Sequence, residues 1–204
     1  MADSLEDLGG YSIFPVEPNW LHKPSMNLEL ARILMKYTGT AAKLSSFTDH
    51  VPEAWKLGFT PSKEDEHDLI VFFIARYGKH GGFWIKIPAR EFTLYSNSLS
   101  GSTEIRVENN GAEQQYQGYE RIWIDMHSND ILTRKVLTTT KEDDYLSLGL
   151  SVSLDRDVTP STHFKICRLL FCRFDEDMLK MSFGQNQYPD ITLAVRELVR
   201  EYPA

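Results

Sequence analysis

"PSKEDEHDLIVFFIARYGKHGGFWIKIP", residues 61–88, decides how the rest of the chain is read. Ser62 is a strong helix N-cap, because its hydroxyl can accept from the backbone N–H three residues on, where Asp65 stands. Glu64, Asp65, Glu66 and Asp68 put negative charge at the positive end of the helix dipole. Leu69, Phe72, Phe73 and Tyr77 recur at helical spacing, and Ile70 and Ile74 widen the apolar stripe. Arg76 falls in the last turn, and Gly78 suits the position just past a helix end, where the chain turns left-handed. These signals predict a helix over about 63–77. It leads through a glycine turn into "GGFWIKIP", a strand predicted to end at Pro88.

Around this helix the chain reads as β. "EAWKLGFTP" alternates at Trp55, Leu57 and Phe59 and stops at Pro61. "EFTLY" ends at Ser96, and "STEIRVEN" alternates at Ile105 and Val107 before the turn signal "NNG". "ERIWIDM" alternates Ile122 and Ile124 against Trp123. "ILTRKVLTT" and "DYLSLGLSV" flank the turn "TKEDD". "FKICRLLFCRF" is expected to meet "MLKMSF" across "DED", and "ITLAVREL" comes last. Short strands with turn residues between them predict a mainly β fold with one packed α-helix (α+β), an antiparallel β-sandwich or a strongly curved sheet. Residues 1–26, with Pro15, Pro18 and Pro24, read as an extended N-terminal arm, and 27–204 as a single β-rich domain. "LELARILMKYTG", 28–39, fits a helix through Leu30, Ile33, Leu34 and Tyr37 but equally a strand. The arm carries Tyr11, Phe14 and Trp20, which would either anchor on a neighbouring subunit or fold back on their own domain.

Composition excludes several functions. The chain has 204 residues and a net charge of −7, against nucleic-acid binding, which draws on Lys and Arg at phosphates. No apolar run approaches the ~20 residues of a membrane span. "MADSLEDLGG" is acidic and polar, unlike a secretory signal, so synthesis in a cytoplasm is expected. Cys167 and Cys172 are five apart in a strand, on opposite faces and about 17 Å from each other, beyond the ~7 Å that a disulfide spans between Cα atoms. They read as two buried thiols.

The candidates for chemistry are weak. The six histidines, His22, His50, His67, His80, His127 and His163, form no metal-binding pair. Asp125, His127, Ser128 and Asp130 sit too close in one hairpin to build a triad and read as a polar turn. "FDED" (174–177) and "KEDD" (141–144) could hold a hard cation, but acidic turns between strands explain them as well. "YGKHGGFW" has its glycines after a helix and before a strand, the reverse of a phosphate loop. Trp20, Trp55, Phe83, Trp84 and Trp123 read as core. No catalytic, cofactor or metal residue is assigned. An enzyme would need His127 or His50 gathered with a carboxylate in a pocket.

"EAWKLGFTPSKEDEHDLIVFFIARYGKHGGFWIKIPAREFTLY" resembles a pattern of bacteriophage tail-tip proteins. There a tryptophan-bearing strand leads into a short acidic-capped helix with two phenylalanines, an "ARxG" turn, and an "FW" strand closed by proline. "FKICRLLFCRFDEDMLKMSFGQNQYPDITLAVRELVREYP" is similar to a second part of such proteins. The resemblance implies a structural virion protein of the distal tail or baseplate adaptor type. Such a protein would form a ring, a trimer or hexamer, joining tail tube to hub or fibres. It would be made in the host cytoplasm, without enzymatic activity, cofactor, nucleic-acid binding or membrane insertion. Two cysteines are too few for the four-thiolate iron–sulfur site of some neighbouring tail proteins. The alternative is a carbohydrate- or ligand-binding β module, distinguished by Trp55, Trp84 or Trp123 lying exposed in a row.

Overall fold

The computed structural model describes residues 8–18, 25–28, 32–35, 43–46, 53–109, 121–127, 131–183 and 189–198. Among them the strands are β1 (Ser25–Leu28), β2 (Arg32–Met35), β3 (Lys43–Ser46), β4 (Glu53–Phe59), β5 (Phe83–Phe92) and β6 (Glu104–Glu108). They continue with β7 (Arg121–Met126), β8 (Ile131–Lys141), β9 (Tyr145–Leu150), β10 (His163–Phe174), β11 (Lys180–Phe183) and β12 (Pro189–Glu197). One α-helix, α1 (Lys63–Ala75), and a single 3₁₀ turn at Gly78–His80 complete the described elements. The fold is mainly β with one packed helix, an α+β arrangement of antiparallel ladders. That is the class expected from the spacing of short apolar strands and turns.

Two compact units divide the chain, one containing residues 8–13 and 84–170, the other 14–83 and 171–198. Met26, the last residue of the expected arm, lies in β1, within the second unit.

In the first unit the start of β10 pairs with β7, followed in order by β8, β9 and β6. Ile124 stands opposite Ile166 on one side and Leu132 on the other, and Ile105 and Val107 face Leu148 and Leu146. All of these side chains are buried in one apolar core. β6 and β9 alternate buried with less buried residues, as a half-exposed strand must. β7 does not: Ile122, Trp123 and Ile124 are all buried, so both of its faces are covered. Residues 8–13 are tied to this unit through Trp84. The Trp84 backbone N–H donates to the Ser12 carbonyl at 3.0 Å, and its indole N–H donates to the Leu8 carbonyl at 3.0 Å. The Arg121 guanidinium lies 5.5 Å over the Trp84 ring, a cation–π contact that offsets part of the cost of burying its charge.

In the second unit β12 lies between β4 and the end of β10, and β11 also pairs with β12. The sequence pointed to a β10–β11 hairpin across "DED". Instead the returning strand pairs with β12, where Met181 faces Ile191. Leu57 faces Leu193 and Phe59 faces Ile191 across β4 and β12, all buried. Arg32–Met35 is a strand paired with Lys43–Ser46, which decides for strand over these four residues of 28–39. β5 runs through Pro88 to Phe92 rather than stopping at the proline.

The unit is held by a cluster of phenylalanines. The Phe174 ring centroid lies 4.6 Å from Phe83, 4.8 Å from Phe73, 6.2 Å from Phe14 and 6.3 Å from Phe72. Phe72 meets Phe83 and Phe14 edge-on at 5.3 and 5.4 Å. Edge-to-face contacts add about 0.5–1.5 kcal/mol per pair beyond area burial. Phe14 is therefore core, not an anchor for a neighbour; Trp20 lies outside the described residues. Replacing Phe174 with Ala is expected to cost about 3–5 kcal/mol. Phe73→Ala should cost less, since its ring is half-buried. Urea unfolding checks both, and an unchanged midpoint for Phe174→Ala would contradict the role given to this cluster.

Candidate functional site on the outer face of the helix

The helix begins as its sequence requires. Ser62 Oγ accepts from the Asp65 backbone N–H at 3.2 Å and donates to Asp65 Oδ2 at 2.7 Å, and the Glu66 N–H reaches the Ser62 carbonyl at 2.8 Å. Glu64, Asp65 and Glu66 occupy the first turn. Inward, Leu69 is buried and Phe72 and Phe73 are half-buried. Outward, Glu64, His67, Asp68, Val71, Ile74 and Ala75 are exposed, at steps of three and four residues. The apolar stripe is thus narrower than the sequence implied. Ile74 is 66% exposed and Tyr77 80%, while Val71, outside the expected stripe, is 50% exposed.

The end of the helix departs from expectation. α1 stops at Ala75 with Arg76 as its cap, and Tyr77 itself takes the left-handed conformation, with φ 52° and ψ 45°. It is the only non-glycine residue with positive φ among those described. A bulky side chain there costs about 1–2 kcal/mol. Gly78 follows with φ 60°, and a β-carbon at this position would come 2.8 Å from Asp177 Oδ1. Asp177 fastens the turn: the Lys79 backbone N–H donates to its Oδ1 at 3.2 Å and Lys79 Nζ to its Oδ2 at 3.0 Å. The Gly81 N–H then closes on the Arg76 carbonyl at 2.9 Å. At Gly82 a β-carbon would lie 2.4 Å from Phe171 Cζ. The glycines in "YGKHGG" therefore serve backbone geometry and close approach. Met178, next to Asp177 in sequence, is exposed as well.

The other candidates do not converge. Asp125 accepts from the Trp123 indole N–H, and His127 is exposed on its strand end; Ser128, Asp130, His22 and His50 lie outside the described residues. In "FDED", Asp175 holds Arg196 through two bonds of 2.9 and 3.0 Å, Glu176 holds Lys180 at 2.9 Å, and Asp177 holds Lys79. These acids face cations rather than one another, and no group of three His, Cys, Asp or Glu is arranged to hold a metal among the described residues. Lys141, Glu142, Asp143 and Asp144 are exposed. Cys167 and Cys172 are free and buried. Trp55, Trp84 and Trp123 are buried and form no exposed row. No helix among the described residues is long and apolar enough to cross a membrane. The residues that sequence reasoning missed are Val71 and Met178, and the six-residue apolar run "LIVFFI" was the signal that one of its members must face outward.

No protein-family model matches this chain, and no curated protein matches it.

Lys79, donating from both its side chain and its backbone, holds the Asp177 carboxyl below its ordinary value. A depressed carboxylate pKa contributes stability that is full above the ordinary value near 4 and is lost as pH falls through the lower folded value. Amide protection at Lys79 is therefore expected to be flat down to about pH 4 and to fall below it. Asp177→Asn should weaken that protection already at pH 7. Hydrogen exchange followed by NMR checks this, and equal protection in the variant would count against the anchor.

Proposed function

We propose that this chain is a structural subunit of a bacteriophage tail tip, of the distal tail or baseplate adaptor type. In this reading it closes into a homo-oligomeric ring, a trimer or hexamer, that joins the tail tube to the hub or fibres within the virion. The role is assembly, and no residue is assigned to catalysis.

The observation that carries this reading is the outer face of α1. Val71 and Ile74 lie nearly one turn apart and are exposed, and Tyr77, just past the helix end, is exposed in a strained backbone conformation. Contiguous exposed apolar surface on a soluble chain marks an interaction site. Strain at an exposed aromatic is retained where the surroundings enforce it and a function uses it. The stretch 53–95, read from its sequence as similar to tail-tip proteins, contains this same helix and turn, which supports the reading.

Light scattering at several concentrations tests the proposal. The native chain is expected to form a closed oligomer, and Ile74→Lys to remain monomeric with an unchanged melting temperature. Tyr77→Gly removes the strain and the aromatic together. It should weaken assembly while raising stability by up to about 1 kcal/mol. A native chain that stays monomeric throughout, or variants that assemble as well as it does, would overturn the reading.

A further inference from the structure

A second surface, in the unit containing residues 84–170, has different chemistry. β6 and β9 turn Ile105, Val107, Leu146 and Leu148 into the core, so Glu104, Arg106, Tyr145 and Ser147 lie on the opposite face. The chain at 93–95 runs alongside β6, with the Tyr95 N–H donating to the Arg106 carbonyl at 2.9 Å and Leu94 bridged to Val107. This places Tyr95 beside Arg106 and brings the Tyr95 and Tyr145 rings into a stack, centroids 5.0 Å apart at 25°. Tyr95 is 46% exposed. Next to it opens a cleft of about 320 Å³ lined by Ser96, Asn97, Ser98, Ser102, Glu104 and Arg106, with Leu99 at its side.

The cleft is pre-formed. Ser98 exchanges two backbone hydrogen bonds with Val158, at 3.0 and 2.8 Å, and the Ser100 N–H donates to Asp157 Oδ1 at 2.8 Å. The Gly101 N–H reaches the Leu154 carbonyl at 2.7 Å, and Gly101 takes a positive φ of 86° to do so. The loop is thereby tied to residues 154–158 and loses little freedom when a ligand arrives. Arg106 is oriented twice: its Nε donates to Glu104 Oε1 at 2.7 Å, and its guanidinium lies 5.2 Å over the Tyr145 ring. Its terminal amino groups engage no partner among the described residues, and the same holds for the Ser96 and Asn97 side chains. Glu104, which accepts from Arg106 and Ser147, is held below the ordinary carboxylate range and stays an acceptor.

We propose that this cleft binds a neutral hexopyranose unit of a glycan, stacked on the outward face of Tyr95 and bonded by the Arg106 guanidinium, the Glu104 carboxylate and the serine and asparagine side chains beside them. A sugar ring matches the site on both counts. Its C–H face packs on an aromatic face, and its hydroxyls take donors and acceptors at once. An anionic ligand is disfavoured, because Glu104 cancels Arg106 and Glu142 adds a negative charge nearby. An apolar ligand would bury the unpaired serine, asparagine and guanidinium groups against nothing that satisfies them.

The test titrates the full chain with maltotetraose, cellotetraose and chitotetraose, following the backbone and Arg106 side-chain signals by NMR. At least one is expected to bind with a dissociation constant of about a millimolar or tighter, shifting signals at Tyr95, Ser98 and Arg106. The three sugars separate α-glucan, β-glucan and N-acetylglucosamine sources. Tyr95→Ala and Arg106→Ala should each weaken binding about tenfold or more, whereas Tyr95→Phe, which keeps the stacking face, should leave it nearly intact. Arg106 is exposed, so its variant reports on the site even where Tyr95→Ala fails to fold. No binding by any of the three sugars, or binding that survives Arg106→Ala unchanged, would overturn the proposal.

Discussion

The contact of Phe174 with Phe83, ring centroids 4.6 Å apart, sets the path of the chain from the helix into β5. Phe174 closes β10, and Phe83 opens β5 only eight residues after the helix ends at Ala75. To bring Phe83 within 4.6 Å of Phe174 while Phe72 and Phe73 of the helix touch the same ring, the chain must reverse within residues 76–82. A reversal that tight needs left-handed residues and places without a β-carbon. Tyr77 and Gly78 supply the first, and Gly82, which lies against Phe171, supplies the second. The glycine turn between helix and strand is thus a consequence of aromatic packing. The left-handed Tyr77 is held there because packing and the Asp177 anchor together exceed its local cost.

What could be read from sequence follows from how local each feature is. The helix start was legible because Ser62 and Asp65 make the cap between themselves. The faces of β6 and β9 were legible because alternation alone assigns them. The helix's outer face was not, because Leu69 to Ile74 is an unbroken apolar run and periodicity cannot say which members face out. Contact with Phe14, Phe83 and Phe174, distant in the chain, makes that choice. The place of β12 between β4 and β10 was also hidden, since "DED" is a good hairpin turn and only long-range pairing shows it is not used as one. The residues that line the cleft all fall within 96–106, but its shape depends on the ties of that loop to Leu154, Asp157 and Val158 and on the Tyr145 ring stacked on Tyr95, and no short window of sequence shows those.

The acidic turn at 174–177 shows why composition is a poor guide to metal sites. Three carboxylates in a row look like a cation site, yet each is directed at a different cation: Arg196 of β12, Lys180 four residues along the chain, and Lys79 of the turn after the helix. The bidentate Asp175–Arg196 pair ties β12 to the residue after β10, and the Asp177–Lys79 pair ties the turn after the helix to the same loop. Both pairs are partly or fully exposed, and their value lies in fixing geometry more than in net energy.

The two proposed surfaces place opposite demands on solvent. The helix face exposes Val71, Ile74 and Tyr77, apolar surface that leaves water when a partner covers it, as the proposed assembly would have it. The cleft has a guanidinium and hydroxyl groups that water satisfies well, so a ligand must replace each of those bonds to gain anything. Burial by a flat protein surface would leave such groups unpaired, which makes the cleft a poor contact between subunits. The C-terminal part of the exposed side of α1 presents Val71 and Ile74, aliphatic groups that offer a sugar's hydroxyls no hydrogen bond. The surfaces also share no residue, so a substitution that removes the apolar stripe leaves every polar contact of the cleft in place. The two proposals, assembly through the helix face and glycan binding in the cleft, are in this way chemically independent of each other.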